Sequence, residues 1–349
     1  MPGIAGFFGG WRGLGRFWGL TLAVALIGAI SLQLAGPPSA RRPAPVIAKH
    51  ETPPPPSVIH QAPAVVKASI DRPGRDLPGP VNDPDPALLE HVPGSPADTL
   101  PRIAADGRKP MRFYAAGFDP TTTRPRVGLL LAGVGLSFAD SKKAITDLPP
   151  QVTFAVSPYT ANAEPLLSSV RLLGHEYVLS IPMEPVRFPL SDAGPKALMT
   201  NLSVQEHKVQ LLWALSQLQG YAGATSILGA LRGERLADMP NQIEPVLAEF
   251  EQRGLMYVGA PGQPSPVPHT WSRSVDVVVD EPAAAVDIDV KLAALEALAR
   301  DRGSALGLAV APRPVTVDRI AAWTTGLANR GLALAPVSAL MQPPEDPPK

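Results

Sequence analysis

The sequence predicts an α/β fold: a deformed (β/α) barrel of about seven parallel strands, preceded by a membrane helix and a proline-rich linker. Three observations predict it. After Arg126, apolar runs of strand length alternate with segments of helical spacing, the signature of a parallel sheet covered by helices. Before that point proline is dense: about twenty of the 43 prolines in the 349-residue chain fall between Pro37 and Pro125. Near the amino terminus, Phe17 to Ala35 (FWGLTLAVALIGAISLQLA) runs without a charge.

That uncharged run is long enough, as a helix, to cross about 30 Å of hydrocarbon, so residues 1–36 are read as carrying a transmembrane anchor. A cleaved signal peptide is the competing reading. Arg12 and Arg16 precede the run and Arg41 and Arg42 follow it, so charge alone leaves the orientation open. The commoner arrangement, a short inner leader, places the protein in the cytoplasmic membrane as a single-pass chain with its domain on the periplasmic side.

Residues 37–86, with PPPP at Pro53–Pro56, bury too little apolar surface to offset their ordering entropy and are read as a disordered spacer. Residues 87–126 carry irregularly spaced anchors (Leu88, Leu89, Ile103, Phe113, Tyr114, Phe118) and are read as a strap packed on the domain of residues 127–349. In that domain the strand candidates start at Val127, Val152, Tyr177, Leu255, Val275, Ala305 and Leu332. Helical spacing links Leu166, Val170 and Leu173 ahead of Gly174; Leu211, Leu215 and Leu218 ahead of Gly220; and Leu292, Leu295 and Leu298 ahead of Gly303. It also links Ile320, Trp323 and Leu327 ahead of Gly331, with Thr316 as the expected cap. Ser137 to Asp140 fits a capping box.

Lysine plus arginine equals aspartate plus glutamate (31 each), and no like-charge run occurs, which argues against nucleic acid as a partner. The absence of cysteine removes disulfides and thiolate chemistry. In a sheet of this kind ligands sit at the carboxyl ends of the strands. There the sequence offers Ala132-Gly133, Gly259-Ala260 and Val310-Ala311, none with a functional group. Met183 and Glu184, just after the third strand candidate, and Asp280, which ends VDVVVD, are the candidate cleft-binding residues. Glu184 suits a base, a ligand or a structural acceptor for backbone amides. Asp287 or Asp289 is expected to cap the next helix, and His175 lies at the stability end of its strand. No H-x-x-x-H pair and no G-x-S-x-G elbow occurs after Arg126, so neither a histidine metal site nor a serine nucleophile is called, and no cofactor is expected.

From about Leu88 onward the chain resembles the divergent polysaccharide deacetylase family, relatives of the NodB-like barrel deacetylases. The resemblance rests on RPRVGLLLAGVGLS, LPPQVTFAVSPY, GHEYVLSIPMEP, RGLMYV and WTTGLANRGLALAPVSAL in the family's order. It implies a metal-dependent hydrolase of acetylated glycan, with paired aspartates where Ala132 and Gly133 stand here. It also implies a motif histidine at Ile227, an aspartate-serine pair at Gly259-Ala260 and a late histidine at Ala311. Small and apolar residues at all of these positions predict a degenerate site without catalytic residues or metal. The expected role is then binding of cell-wall glycan or an envelope protein. An active metal-dependent deacetylase using Glu184, Asp280 and His269, or a protein-binding envelope adaptor, are the alternatives.

Overall fold

The computed structural model describes residues 72–92 and 95–345. The expected anchor and most of the spacer lie outside the described residues; among those described, no helix is long and apolar enough to cross a membrane.

The chain enters through a hairpin of β1 (Leu89–Val92) and β2 (Ser95–Pro101) and a helical turn, α1 (Pro110–Phe113). The repeating unit then runs β3 (Arg126–Val134), α2 (Phe138–Asp147), β4 (Thr153–Val156), α3 (Glu164–Leu172), β5 (Tyr177–Ser180) and α4 (Val204–Ser216). It continues with β6 (Gly223–Thr225), α5 (Glu234–Ala237), α6 (Pro240–Gln252) and β7 (Met256–Gly259). The last elements are β8 (Ser272–Ser274), β9 (Val277–Val278), α7 (Ala285–Arg302), β10 (Ser304–Ala309), α8 (Pro314–Thr325) and β11 (Ala333–Leu334).

Strands β3 to β11 form one parallel sheet in the order β8-β7-β6-β5-β4-β3-β10-β9, with β11 beside the start of β3. The segment from β8 to β9 pairs with β7 at its beginning and with β10 at its end. Between them Val275 N–H donates to Gly259 O (3.0 Å) and Asp276 N–H to Leu306 O (2.8 Å). One extended segment therefore touches both edges of the sheet, which curls into a barrel wall with helices outside.

The pleat sorts the core into two apolar bodies. Along β3, Val127, Leu129 and Leu131 pack with the helices, while Leu130 and Ala132 point to the other face and join Ala155, Val178, Met256, Val258, Leu306 and Leu308. The second group fills the inside of the curl. Each fully buried leucine contributes about 1.5–3 kcal/mol of transfer free energy. Leu88, Met111 and Tyr114 of the strap belong to the inner body, so the strap plugs the base of the barrel. Residues 72–86, read from sequence as the end of the spacer, also pack there. Val81 is buried with N–H donated to Arg171 O (2.9 Å), and Asn82 Nδ2 donates to Phe113 O (2.7 Å).

Several elements differ from the sequence reading. β6 was not expected: its three residues, Gly-Ala-Thr, are too small to make an apolar run, yet the register pairs them with both neighbours. Helix α6 was also missed, because Pro240 at its first turn and Pro245 within it break the periodic signal; proline is tolerated early in a helix, where amides lack partners. Thr316 is not the cap of α8. The helix starts at Pro314 after Arg313, and the Thr316 hydroxyl serves Asp280 instead. Neither Asp287 nor Asp289 caps α7, whose N-cap is Ala284; Asp287 lies in the first turn and Asp289 pairs with Arg319. Ser137 does cap α2 by accepting from Asp140 N–H, and a full reciprocal capping box stands at Ser203 and Glu206.

Candidate functional site

The carboxyl ends of β3, β4, β5, β6, β7 and β10 and the loops that follow them form the mouth of the barrel. Its first loop is fixed by glycine. Gly133 (φ +71°) and Gly135 (φ +92°) both adopt the left-handed conformation. A Cβ on Gly133 would stand 3.1 Å from Val310 O and 3.6 Å from Ala311 Cα; one on Gly135 would stand 2.0 Å from Thr160 Oγ1. The end of β3 is thus pressed against the end of β10 on one side and the loop after β4 on the other.

Of the motif positions, Ala311 is half-buried and lies outside the inner apolar body. Ala132, Ile227, Ala260 and Val310 are fully buried or nearly so and belong to the same inner apolar body. Gly229, two residues past Ile227, also faces Val310, since its Cβ would lie 3.6 Å from Val310 O. At the end of β7, Gln263 Oε1 accepts from Ala260 N–H (2.9 Å) and from the Tyr257 hydroxyl (3.1 Å), and a Cβ on Gly259 would meet it at 3.1 Å.

Met183 and Glu184 lie after β5, both buried. Met183 packs under Gly233, whose Cβ would stand 2.6 Å from Met183 Cβ. Glu184 Oε2 accepts from Thr200 N–H (2.6 Å) and the Thr200 hydroxyl (2.7 Å), and Oε1 faces Arg235 Nη1 at 3.1 Å. Asp280 follows β9 and is also buried. Its Oδ1 accepts from Val310 N–H (2.8 Å), and its Oδ2 from Arg313 Nη1 (3.2 Å) and the Thr316 hydroxyl (3.3 Å). Burial pushes the Asp280 carboxyl above the ordinary aspartate value, against the pull of the Val310 amide and Arg313. Glu281 pairs with Arg232. The three carboxylates that follow β5 and β9 therefore each carry an arginine partner.

A divalent cation needs several oxygen or nitrogen donors converging on one point. The residues present do not fit one: the strand ends supply methyl groups, glycines and the neutral hydroxyls of Ser157, Ser180, Thr225 and Ser226, and Glu184 and Asp280 already bind amides, hydroxyls and guanidinium groups. Among the described residues no group of three or more histidine, aspartate or glutamate side chains is arranged to hold a metal. His269 is elsewhere, beside Glu244 (3.5 Å) and Glu251 (3.4 Å), with neighbouring Thr270 bonded to Leu255 O at the amino end of β7. His175, at the same end of β5, bonds Val152 O and Ile145 O through its two ring nitrogens and is structural.

Sequence reasoning missed Glu176, the most buried acid described. It accepts from Ala116 N–H (2.8 Å), the Thr153 hydroxyl (2.9 Å), Ser338 N–H (2.9 Å) and the Ser338 hydroxyl (2.6 Å) at the base of the barrel. The mouth also carries exposed apolar residues. Leu136 and Phe138 after β3, and Val186, Phe188 and Leu190 after β5, are exposed, Leu190 by 84%. Tyr159 lies there too, its ring 5.4 Å from that of Trp213, with Lys196 Nζ 5.9 Å from the Trp213 ring. Trp271 lies away from the mouth and lines cavities near the base with Arg126 and Met111.

Comparison with known proteins agrees with this layout. The fold is similar to the crystal structure of an uncharacterised protein from Agrobacterium tumefaciens C58, with a TM-score of 0.65 and 29% identity over 70% of this chain and 99% of that one. A remoter likeness, with a TM-score of 0.40 and 12% identity over 67% of this chain and 98% of that one, is to the catalytic domain of a peptidoglycan N-acetylglucosamine deacetylase from Eubacterium rectale ATCC 33656. Among curated proteins none matches the sequence. The sequence profile described as divergent polysaccharide deacetylase matches residues 129–341, which span the whole barrel. The chain belongs to the divergent polysaccharide deacetylase family.

Proposed function

We propose that this deacetylase-like domain has lost the deacetylase reaction and works by binding, on cell-wall glycan or an envelope partner. In this reading it is carried outside the cytoplasmic membrane by the apolar segment Phe17–Ala35 and the proline-rich spacer. One observation supports degeneracy above the others: Ala132, Ile227 and Ala260 are fully buried members of one apolar body. Metal-assisted hydrolysis needs a cation to lower the pKa of water and a base to take its proton. Neither function is available from methyl groups.

Binding is supported by what surrounds the filled centre. A contiguous apolar surface rimmed by polar groups is a common mark of an interaction site. Here Phe138, Phe188 and Tyr159 supply ring faces of the kind that stack on sugars, and Lys196 and Arg187 supply donors. The exposed Leu136, Val186 and Leu190 favour a second reading, an apolar protein partner.

Sedimentation of the full-length chain with purified peptidoglycan tests the role. Retention is expected, and the double substitution Phe138→Ser, Phe188→Ser is expected to weaken it by about tenfold, the loss of one to two kcal/mol of ring burial. Absence of retention overturns the glycan reading and leaves the protein partner. Retention that the double substitution does not change would place glycan binding away from the mouth.

A further inference from the structure

The base of the barrel holds a second feature, independent of the mouth. A cavity of about 220 Å³ is lined by Arg72, Arg75, Arg126 and one carboxylate, Asp76, together with Phe118, Trp271 and Met341. Its charges are unbalanced. Arg72 pairs with Asp76, which Arg112 Nη2 also approaches at 3.5 Å, so one carboxylate serves two guanidinium groups. Arg75 donates only to neutral oxygens: Asn82 Oδ1 (3.4 Å), Gly79 O (3.4 Å) and Pro80 O (3.0 Å). Arg126 Nη1 donates to Ala339 O (3.2 Å), and its guanidinium lies over the Phe118 ring at 5.3 Å.

Glu176, the acid whose charge acts on Arg75, is fully buried behind Ser338 and already accepts four hydrogen bonds. Arg72 Nε, Arg75 Nε and Arg112 Nη1 are shielded from solvent and donate to nothing. Burial lowers the pKa of Arg75 from the ordinary arginine value, with Glu176 pulling it back. Shielded guanidinium donors without acceptors are costly, and arginine's planar fork matches phosphate and carboxylate oxygens in pairs.

We infer that this cavity is a binding site for a small organic anion, a phosphate or carboxylate carried on a compact ring. The anionic group meets the guanidinium forks of Arg72, Arg75 and Arg126, and the ring lies against Trp271, Phe118 and Met341. The volume falls below the roughly 300–1,000 Å³ of pockets that hold drug-sized ligands, which restricts the occupant to a small molecule. An aromatic wall opposite an arginine cluster favours a phosphorylated or carboxylated ring over a bare ion.

Calorimetric titration of the full-length chain with phenyl phosphate, and in parallel with inorganic phosphate, tests the site. Saturable binding of phenyl phosphate, tighter than that of inorganic phosphate and weakened by added salt, is the expected result. Arg72→Gln and Arg126→Gln are each expected to weaken it by about tenfold, the scale of one charge-assisted hydrogen-bonded contact, without lowering the thermal midpoint enough to unfold the domain. No saturable heat from either probe overturns the inference. So does phenyl phosphate binding that survives both substitutions unchanged. Because the wild-type titration decides by itself, a variant that fails to fold does not rescue the proposal.

Discussion

Replacing Ala132 by aspartate is expected to destabilise the domain by about 3–5 kcal/mol, the scale of an uncompensated charge in a protein interior. Total stability of a domain is about 5–15 kcal/mol, so the variant will unfold at a markedly lower denaturant midpoint, if it folds at all. The cause is local. Ala132 has no solvent exposure and belongs to the inner apolar body. Ala132→Ser, which adds one neutral hydroxyl, is expected to cost only about 1–3 kcal/mol. On the proposed reading, an acid at this position is an uncompensated buried charge and not a restored site. An Ala132→Asp variant that unfolds within about 1 kcal/mol of the wild type would mean that the position opens to water.

The second large effect is expected at the other end of the barrel. Glu176→Ala removes the common acceptor of four donors from three separate parts of the chain: Ala116 in the strap, Thr153 at the start of β4 and Ser338 in the carboxyl-terminal turn. Two backbone amides lose their acceptor in a dry environment, each costing about 1–3 kcal/mol, so a loss of about 3–5 kcal/mol is expected. Glu176→Gln keeps one carbonyl oxygen but turns an amide donor toward another donor, and is expected to cost about 1–3 kcal/mol.

The pH dependence has a defined sign. Burial outweighs the four donors and raises the Glu176 pKa above the ordinary glutamate value. A raised folded value means that the native state holds its proton longer than the unfolded chain. The carboxyl's contribution is then complete below the ordinary glutamate value and declines as the pH rises through the folded one. The stability difference between wild type and Glu176→Gln is expected to shrink over that interval. Denaturant melts at a series of pH values read it directly.

The fold was legible in the sequence where apolar runs were long enough to carry a period. β3, β5, β7 and β10 stand where their runs predict, and Gly303 ends α7 in the left-handed conformation expected of it. Legibility failed where small residues or prolines stood in for periodic ones. Gly223-Ala224-Thr225 holds a place in the sheet through its neighbours' hydrogen bonds and not through its own side chains. Pro245 hides a helix that solvent-side positions tolerate.

The motif positions were legible in a different way. Ala132, Ile227 and Ala260 could be placed by resemblance, and their absence of donors could be read from their types. Their mutual packing could not, because it depends on how the sheet curls. Glu184 and Asp280 show the same limit: a carboxylate at a strand end gives no sign of which amide it will meet. The cluster around Glu176 was invisible because its partners are 23 to 162 residues away in sequence.

The most direct test of the account is a calorimetric titration of the full-length chain, purified without chelators, with zinc and with manganese, combined with an assay for acetate released from acetylated peptidoglycan. A filled apolar centre and arginine-paired carboxylates predict no stoichiometric metal binding and no acetate above the uncatalysed rate. One metal bound per chain together with metal-dependent acetate release would contradict it.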